Sequence, residues 1–358
     1  MPRTAEKSDA ASALLDPLLR KVALMDPSPR AQLPSALVLS LGGTIAMAAP
    51  GAGPGGVAPR LTAEDLVAAV PELTEEAELE LRDFRKIPGA WLEIDDIAAV
   101  AELLNKQAAE GTTGFVITQG TDTLEEVAYL LDLLYEGAAP VVVTGAMRHA
   151  QMAGADGPAN VLAAVRTAVS PQAREMGVLV ALADELHAAR HVQKIHSTSP
   201  SAFSSPGAGP VGFLIEGRPR FQFALPRQPR VELPLIRPAS VEVIEATLGG
   251  EGAFLDAASS LDGLVVAAFG AGHVPRTWAP RLGNLASRFP VVLTSRTGAG
   301  SVLTGTYDFG PGSETDLLGR GLINGGRLEP RKARLLLLAL LRSGADQTTI
   351  QAAFAAHR

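Results

Sequence analysis

The apolar run Phe115 to Ile117 drives straight into Thr118-Gln119-Gly120-Thr121-Asp122-Thr123, and a helical pattern starts at once. Leu124, Val127, Leu130, Leu131 and Leu134 recur at spacings of three and four. The stretch therefore reads as strand, tight turn and helix, with the helix N-terminus at the strand's end. In open α/β sheets such turns line the ligand crevice, and the free N–H groups of the helix favour developing negative charge. Thr121 and Asp122 bring a hydroxyl and a carboxylate to that turn. Taken alone, either residue serves equally well as a helix cap.

A second turn of the same kind shifts the balance. Leu37-Val38-Leu39-Ser40-Leu41 is a buried-strand pattern that ends in Gly42-Gly43-Thr44-Ile45-Ala46. The glycines let the backbone approach a ligand closely, and a hydroxyl follows immediately. Two glycine–threonine turns at two strand ends suggest a site where one threonine attacks and another group activates or polarises.

Further along, Val143-Thr144-Gly145-Ala146-Met147-Arg148 and Ala155-Asp156-Gly157-Pro158-Ala159-Asn160 complete a specific combination. With Gly42 to Ala46 and Gly120 to Thr123, followed by Glu125 and Glu126, it resembles the bacterial-type L-asparaginase family. These are threonine amidohydrolases, some of which also take glutamine. The resemblance runs from about Leu33 to the C-terminus. It implies an α/β fold in two domains, a larger N-terminal parallel-type sheet flanked by helices and a smaller C-terminal α/β domain. A length of 358 residues suits two domains. The expected divisions are an extension over 1–32, an N-terminal domain with the catalytic loops over 33–222, a linker over 223–239 and a C-terminal domain over 240–358. Pro226, Pro229, Pro234 and Pro238, with no helical period, mark the linker.

By the same resemblance, Thr44 is the attacking hydroxyl, and Thr121, Asp122 and Lys194 form a second catalytic cluster. Asp122 holds the substrate's α-ammonium, Thr121 helps deliver water, and Lys194 lowers the proton affinity of the Thr121–Asp122 pair. Gly43, Gly89, Ala90, Gly120, Ala146 and His273 are the expected substrate-binding positions. Of these, the Gly120–Thr121 turn supplies oxyanion donors and the Ala146 carbonyl receives the side-chain amide. Asp156 is expected to support the site from behind, and Gln119 stands where the family more often has histidine. His273, in the loop Gly270-Ala271-Gly272-His273, stands where usual members have asparagine and where the chain reaches a neighbouring subunit's active site. A homo-oligomer, dimer or tetramer, follows as an expectation.

Two further departures from the family pattern stand out. The loop Ala46 to Pro59 holds Gly51, Gly53, Gly55 and Gly56 with Pro50, Pro54 and Pro59, and so reads as a mobile lid. The family places a helper tyrosine there, near Gly55 or Gly56 of this chain, yet the loop has no tyrosine. Where the family uses a serine and often a glutamine to hold the substrate's α-carboxylate, this chain has Gly89 and Ala90, which offer only backbone N–H groups. One lost side-chain hydrogen bond to a charged group is worth about 1.5–3 kcal/mol. Trp91, next in line, is expected to pack.

Other expectations follow from pattern. Buried strands are expected over 115–118, 140–144 and 177–183, and again over 263–270 and 290–295. Helices are expected over 12–25, 62–70, 94–109, 158–169, 278–289 and 328–344. The last has its proline in the first turn and an apolar run that suggests burial, with a partner subunit as one candidate. Lys194 is expected in a strand-end loop. His191 and His196 flank it without a carboxylate partner set, so no metal site is read, and no cofactor is expected. A net charge of −7 argues against nucleic-acid partners and anionic membranes. The absence of cysteine excludes disulfides and thiolate nucleophiles. No uninterrupted apolar leader precedes Pro27, because Asp16, Pro17, Arg20 and Lys21 break the stretch, so a cytoplasmic location is the expectation. Two rival readings are a small-molecule binding module that kept the fold without the chemistry, and a phosphate-binding enzyme using helix N-termini.

Overall fold

The computed structural model describes residues 33–43, 45, 47–48, 58–59 and 62–357. The expected extension over 1–32 with its helix, the nucleophile candidate Thr44 and most of the proposed lid lie outside the described residues. Of that lid, Met47–Ala48 and Ala58–Pro59 are described, paired as a short antiparallel ribbon that joins the loop's two ends.

Among the described residues the larger sheet has eight strands, in the order Arg218–Phe221, Gly212–Ile215, Glu185–Ala188, Val178–Leu182, Val141–Thr144, Gly114–Thr118, Ser35–Gly42 and Glu78–Ile87. The five from Val178–Leu182 to Glu78–Ile87 run parallel, and the other three continue the sheet antiparallel. The alternation of side chains in these strands explains why helices cover both faces. Leu37, Leu39, Leu41, Phe115, Ile117, Val141 and Val143 face one core with helices Ile94–Ala109 and Leu124–Leu134. Ala36, Val38, Val116 and Val142 face the other, with Leu66 and with Val161, Ala164 and Val165 of helix Gly157–Ala168.

The smaller sheet is parallel, in the order Val241–Glu245, Gly263–Ala268, Val291–Ser295 and Ile323–Asn324. One face packs on Trp278, Ala279 and Leu282 of helix Trp278–Ala286. The other contributes Val241, Val265 and Val292 to the first core of the larger sheet. Helix Pro330–Ser343 lies between, touching both helix Leu124–Leu134 and the smaller sheet. Its proline is at the first helical position and Gly344 caps its end in the left-handed region. The burial anticipated for this helix is thus met within the chain, and a partner subunit is not needed to cover it.

The stretch 222–240 has no regular element but is tied down. Val231 N donates to Leu133 O at 2.8 Å, and Val231 and Leu235 are buried. Two further expectations change. Lys194 sits not in a loop but in the two-residue strand Gln193–Lys194, paired antiparallel with Phe203–Ser204. Trp91 does not pack: it ends a 3₁₀ turn, Gly89–Trp91, and is 70% exposed, because the chain turns outward directly after the Glu78–Ile87 strand. Among the described residues no helix is long and apolar enough to cross a membrane.

Candidate active site

The strands ending at Gly42, Ile87 and Thr118 are neighbours, so the turns that follow them meet at one edge of the sheet. Three glycines make that meeting possible. Gly43 has φ of +85°, and a Cβ built on it would lie 1.9 Å from the Gly120 nitrogen. A Cβ on Gly120 would stand 3.1 Å from Gly89 N and 3.2 Å from Gly43 Cα. Backbone replaces side chain throughout this junction, so the three turns approach more closely than side chains would allow. Gly43 immediately precedes the nucleophile candidate Thr44 in the sequence.

Helix Leu124–Leu134 starts there as well. Thr123 holds its N-cap position but makes no side-chain cap bond; its hydroxyl donates to Gly89 O at 2.9 Å instead. Thr121 and Asp122 are therefore not helix caps, and both turn to Lys194. Lys194 Nζ donates to Thr121 Oγ1 at 3.0 Å and to Asp122 Oδ1 at 2.9 Å. Thr121 is 5% exposed and the Asp122 side chain 73%, so the cluster is open on the carboxylate side and closed behind the threonine. A cation 3.0 Å from a hydroxyl oxygen stabilises the alkoxide over the alcohol, which is what a proton-transferring threonine needs.

The turn after Val141–Thr144 closes the site's wall. A Cβ on Gly145 would meet Gln119 O at 2.7 Å and Thr121 Cγ2 at 3.2 Å. Asp156 holds this turn from behind, accepting from Met147 N and Arg148 N at 2.9 Å each. Asn160 Nδ2 donates to Gly145 O at 3.0 Å and to Asp156 Oδ2 at 3.2 Å. Ala146 is fully buried between these anchors. Gln119 is also buried; its amide nitrogen donates to Gly120 O at 3.2 Å while its Oε1 has no partner.

Of the sequence-predicted residues, the structure brings together Gly43, Gly89, Gly120, Thr121, Asp122 and Lys194, with the Ala146 turn beside them. Ala90 follows the buried Gly89 in the 3₁₀ turn and is itself exposed. His273 is not joined to the cluster by any hydrogen bond. Its Nε2 is 3.1 Å from Glu314 Oε2, and the rings of Tyr307 and Phe309 stand edge-on to it, each 5.0 Å away. Glu314 is fully buried and also accepts from Thr306 N and Tyr307 N, and these donors hold its carboxyl below the usual range against the cost of burial. Tyr129 and Tyr135 are fully buried in the core, so neither stands in for a lid tyrosine. Among the described residues no group of three His, Asp or Glu side chains could hold a metal ion.

Glu125 stands in the motif that carries the resemblance, but no role for it, for Arg331 or for Lys332 was legible in the sequence. Glu125, 1% exposed, accepts from the Lys194 backbone N–H at 3.0 Å through Oε2. Arg331 Nη1 stands 2.7 Å from its other oxygen, an ion pair not aligned as a hydrogen bond. Lys332, also 1% exposed, donates to Ala189 O at 2.8 Å and to Val192 O. One signal was available: Lys332 shares a helical stripe with Leu335, Leu336 and Ala339, so the apolar face of that helix contains a charge.

Comparison with known proteins agrees with this arrangement. The family described as "Asparaginase, N-terminal" matches residues 35–227, and "Glutaminase/Asparaginase C-terminal domain" matches 240–354. A probable L-asparaginase of Deinococcus radiodurans is 38% identical over 258 residues, covering 70% of this chain and 78% of the relative. A probable periplasmic L-asparaginase of Haemophilus influenzae is 34% identical over 343 residues, covering 90% of this chain and 93% of the relative. The crystal structure of a probable cytoplasmic L-asparaginase from Campylobacter jejuni superposes with a TM-score of 0.80 at 31% identity, covering 90% of this chain and 99% of that one. Two domain families in tandem, and full-length relatives above 30% identity, establish that this chain belongs to the asparaginase family.

Proposed function

We propose that the protein is an L-asparaginase-type amidohydrolase, which hydrolyses the side-chain amide of L-asparagine to L-aspartate and ammonia by threonine nucleophilic catalysis. The observation that carries this reading is Lys194 Nζ held at once on Thr121 Oγ1 and Asp122 Oδ1, beside the Gly43–Gly120 backbone contact. An amide resists water because its nitrogen donates into the carbonyl, and an acyl-enzyme divides the barrier into two smaller ones. In this reading the Thr44 hydroxyl attacks the amide carbon, its proton passing to the leaving nitrogen, and ammonia departs. Water then attacks the acyl-enzyme carbon; Thr121, stabilised as its alkoxide by the Lys194 cation, takes the water's proton and returns it to the Thr44 oxygen as the ester C–O bond breaks, releasing L-aspartate and free Thr44. Backbone N–H groups of the Gly120–Thr121 turn face the developing oxyanion, where one donor is worth about 3–4 kcal/mol. Asp122 receives the α-ammonium, Ala146 O the amide N–H, and Gly43, Gly89 and Ala90 the α-carboxylate through backbone N–H groups.

His273 belongs to the same scheme as a residue supplied across a subunit interface, in a dimer or tetramer. A light-scattering mass equal to one chain, with activity intact, would exclude that. A cytoplasmic location draws on the likeness to the Campylobacter jejuni protein, whereas the Haemophilus influenzae relative is described as periplasmic. Fractionation of cells of the source organism distinguishes the two. The test of the activity itself is ammonia release from L-asparagine by the purified protein, with L-glutamine alongside.

A further inference from the structure

Lys194 has a difficult task for a residue on so small an element. Its four-carbon stem is flexible, and the strand that carries it has two residues and pairs with another of two. No large sheet fixes its distance from helix Leu124–Leu134, at whose start Thr121 and Asp122 sit. The fixing is done by buried charge instead. Glu125 lies in the first turn of that helix and accepts the Lys194 backbone N–H. One carboxylate thus ties the backbone of the lysine to the element that presents the threonine.

Glu125 is in turn held from the C-terminal half of the chain. Arg331 faces its second oxygen, and Glu329, the N-cap of helix Pro330–Ser343, accepts from Arg331 Nε at 2.7 Å and from Arg331 N at 2.9 Å. Lys332, next in sequence, grips Ala189 O and Val192 O just before Lys194. Burial pushes the Glu125 carboxyl up, and Arg331 and Lys332 oppose that push. The same helix start therefore holds both ends of the Glu125–Lys194 link.

We propose that Glu125 is a positioning residue for Lys194 and that Arg331 holds Glu125 in place, so that the start of helix Pro330–Ser343 governs turnover without touching substrate. This rests on the reading in which Lys194 serves the Thr121 step. Displacing a reacting group by about 1 Å costs up to about a hundredfold in rate. A shift of the lysine that leaves the backbone binding groups alone lowers kcat and not affinity.

The experiment measures kcat and KM for L-asparagine, together with the melting midpoint, for the wild type, Glu125→Ala, Arg331→Ala, Arg331→Lys and Lys194→Ala. Expected are losses in kcat of about ten- to a hundredfold for Glu125→Ala and Arg331→Ala, with KM within about twofold, and recovery of most of kcat in Arg331→Lys. Arg331 is 44% exposed, so its variants carry the test if Glu125→Ala does not fold. A kcat within twofold of the wild type in folded Arg331→Ala, while Lys194→Ala is inactive, would overturn the proposal and leave the role of Lys194 standing. So would a loss that Arg331→Lys fails to restore. Wild-type turnover in Lys194→Ala would remove the role of Lys194 itself, and the proposal with it.

Discussion

Gly43 and Gly120 meet backbone to backbone, so closely that a methyl group on Gly43 would lie 1.9 Å from the Gly120 nitrogen. This contact joins the turn that leads into Thr44 to the turn that carries Thr121. It requires glycine twice over, since Gly43 also has a positive φ. Gly43→Ala must therefore separate the two turns or strain them. We expect a stability loss of about 1–3 kcal/mol and activity below a tenth of wild type. Thermal melts and ammonia-release assays check this, and a variant with wild-type melting and turnover would show that the junction is looser than described.

The turn carrying Ala146 depends on one carboxylate. Asp156 accepts two backbone N–H groups and one side-chain amide from it and its support. Replacing it with alanine leaves those donors unpaired, at a cost of about 1–3 kcal/mol. Asp156→Ala should lower kcat/KM at least tenfold as the Ala146 carbonyl moves, with Asp156→Asn intermediate because its oxygen still accepts. Steady-state kinetics on the three proteins decides this; equal kcat/KM in all of them would detach Ala146 from substrate.

Much of this site could be read from the residues. Neither Gly42-Gly43-Thr44 nor Gly120-Thr121-Asp122 is decisive alone, but two strand ends that both stop in glycine and a hydroxyl point to a shared site. Proline at the first turn and glycine at the end likewise bound helix Pro330–Ser343. What escaped was set by distant parts of the chain. Trp91 reads as packing because large aromatic residues are usually buried, but it stands 70% exposed. Glu125 looks like an acidic residue at an ordinary helix start, favourable to the dipole. Its role depends on a lysine 69 residues later and an arginine more than 200 later, which no local pattern connects.

Acid should destabilise the fold through its buried and partly buried histidines. Burial, with Arg190, Lys332 and Arg327 nearby, pushes His191 down from 6.5 to about 4. Burial does the same to His187 and His357. A histidine that protonates less readily when folded stabilises fully above pH 6.5. Its contribution falls between pH 6.5 and 4 as the unfolded chain takes up the proton first, and is constant below that. For His191 the loss is at most about 3 kcal/mol. His191→Gln should therefore lose less melting temperature than wild type between pH 7 and pH 4. Parallel curves for the two proteins would show that folding does not shift the titration of His191.

The central claim is a threonine amidohydrolase in which Thr44 attacks and Lys194 serves Thr121. It is tested most directly by ammonia release from L-asparagine, measured for the wild type, Thr44→Ala, Thr121→Ala and Lys194→Ala at equal folded concentration. The expected result is turnover in the wild type and its loss, by a thousandfold or more on the order seen when such groups act together, in all three variants. Turnover that survives in Thr44→Ala would contradict the nucleophile. A folded wild type that releases no ammonia would contradict the claim as a whole.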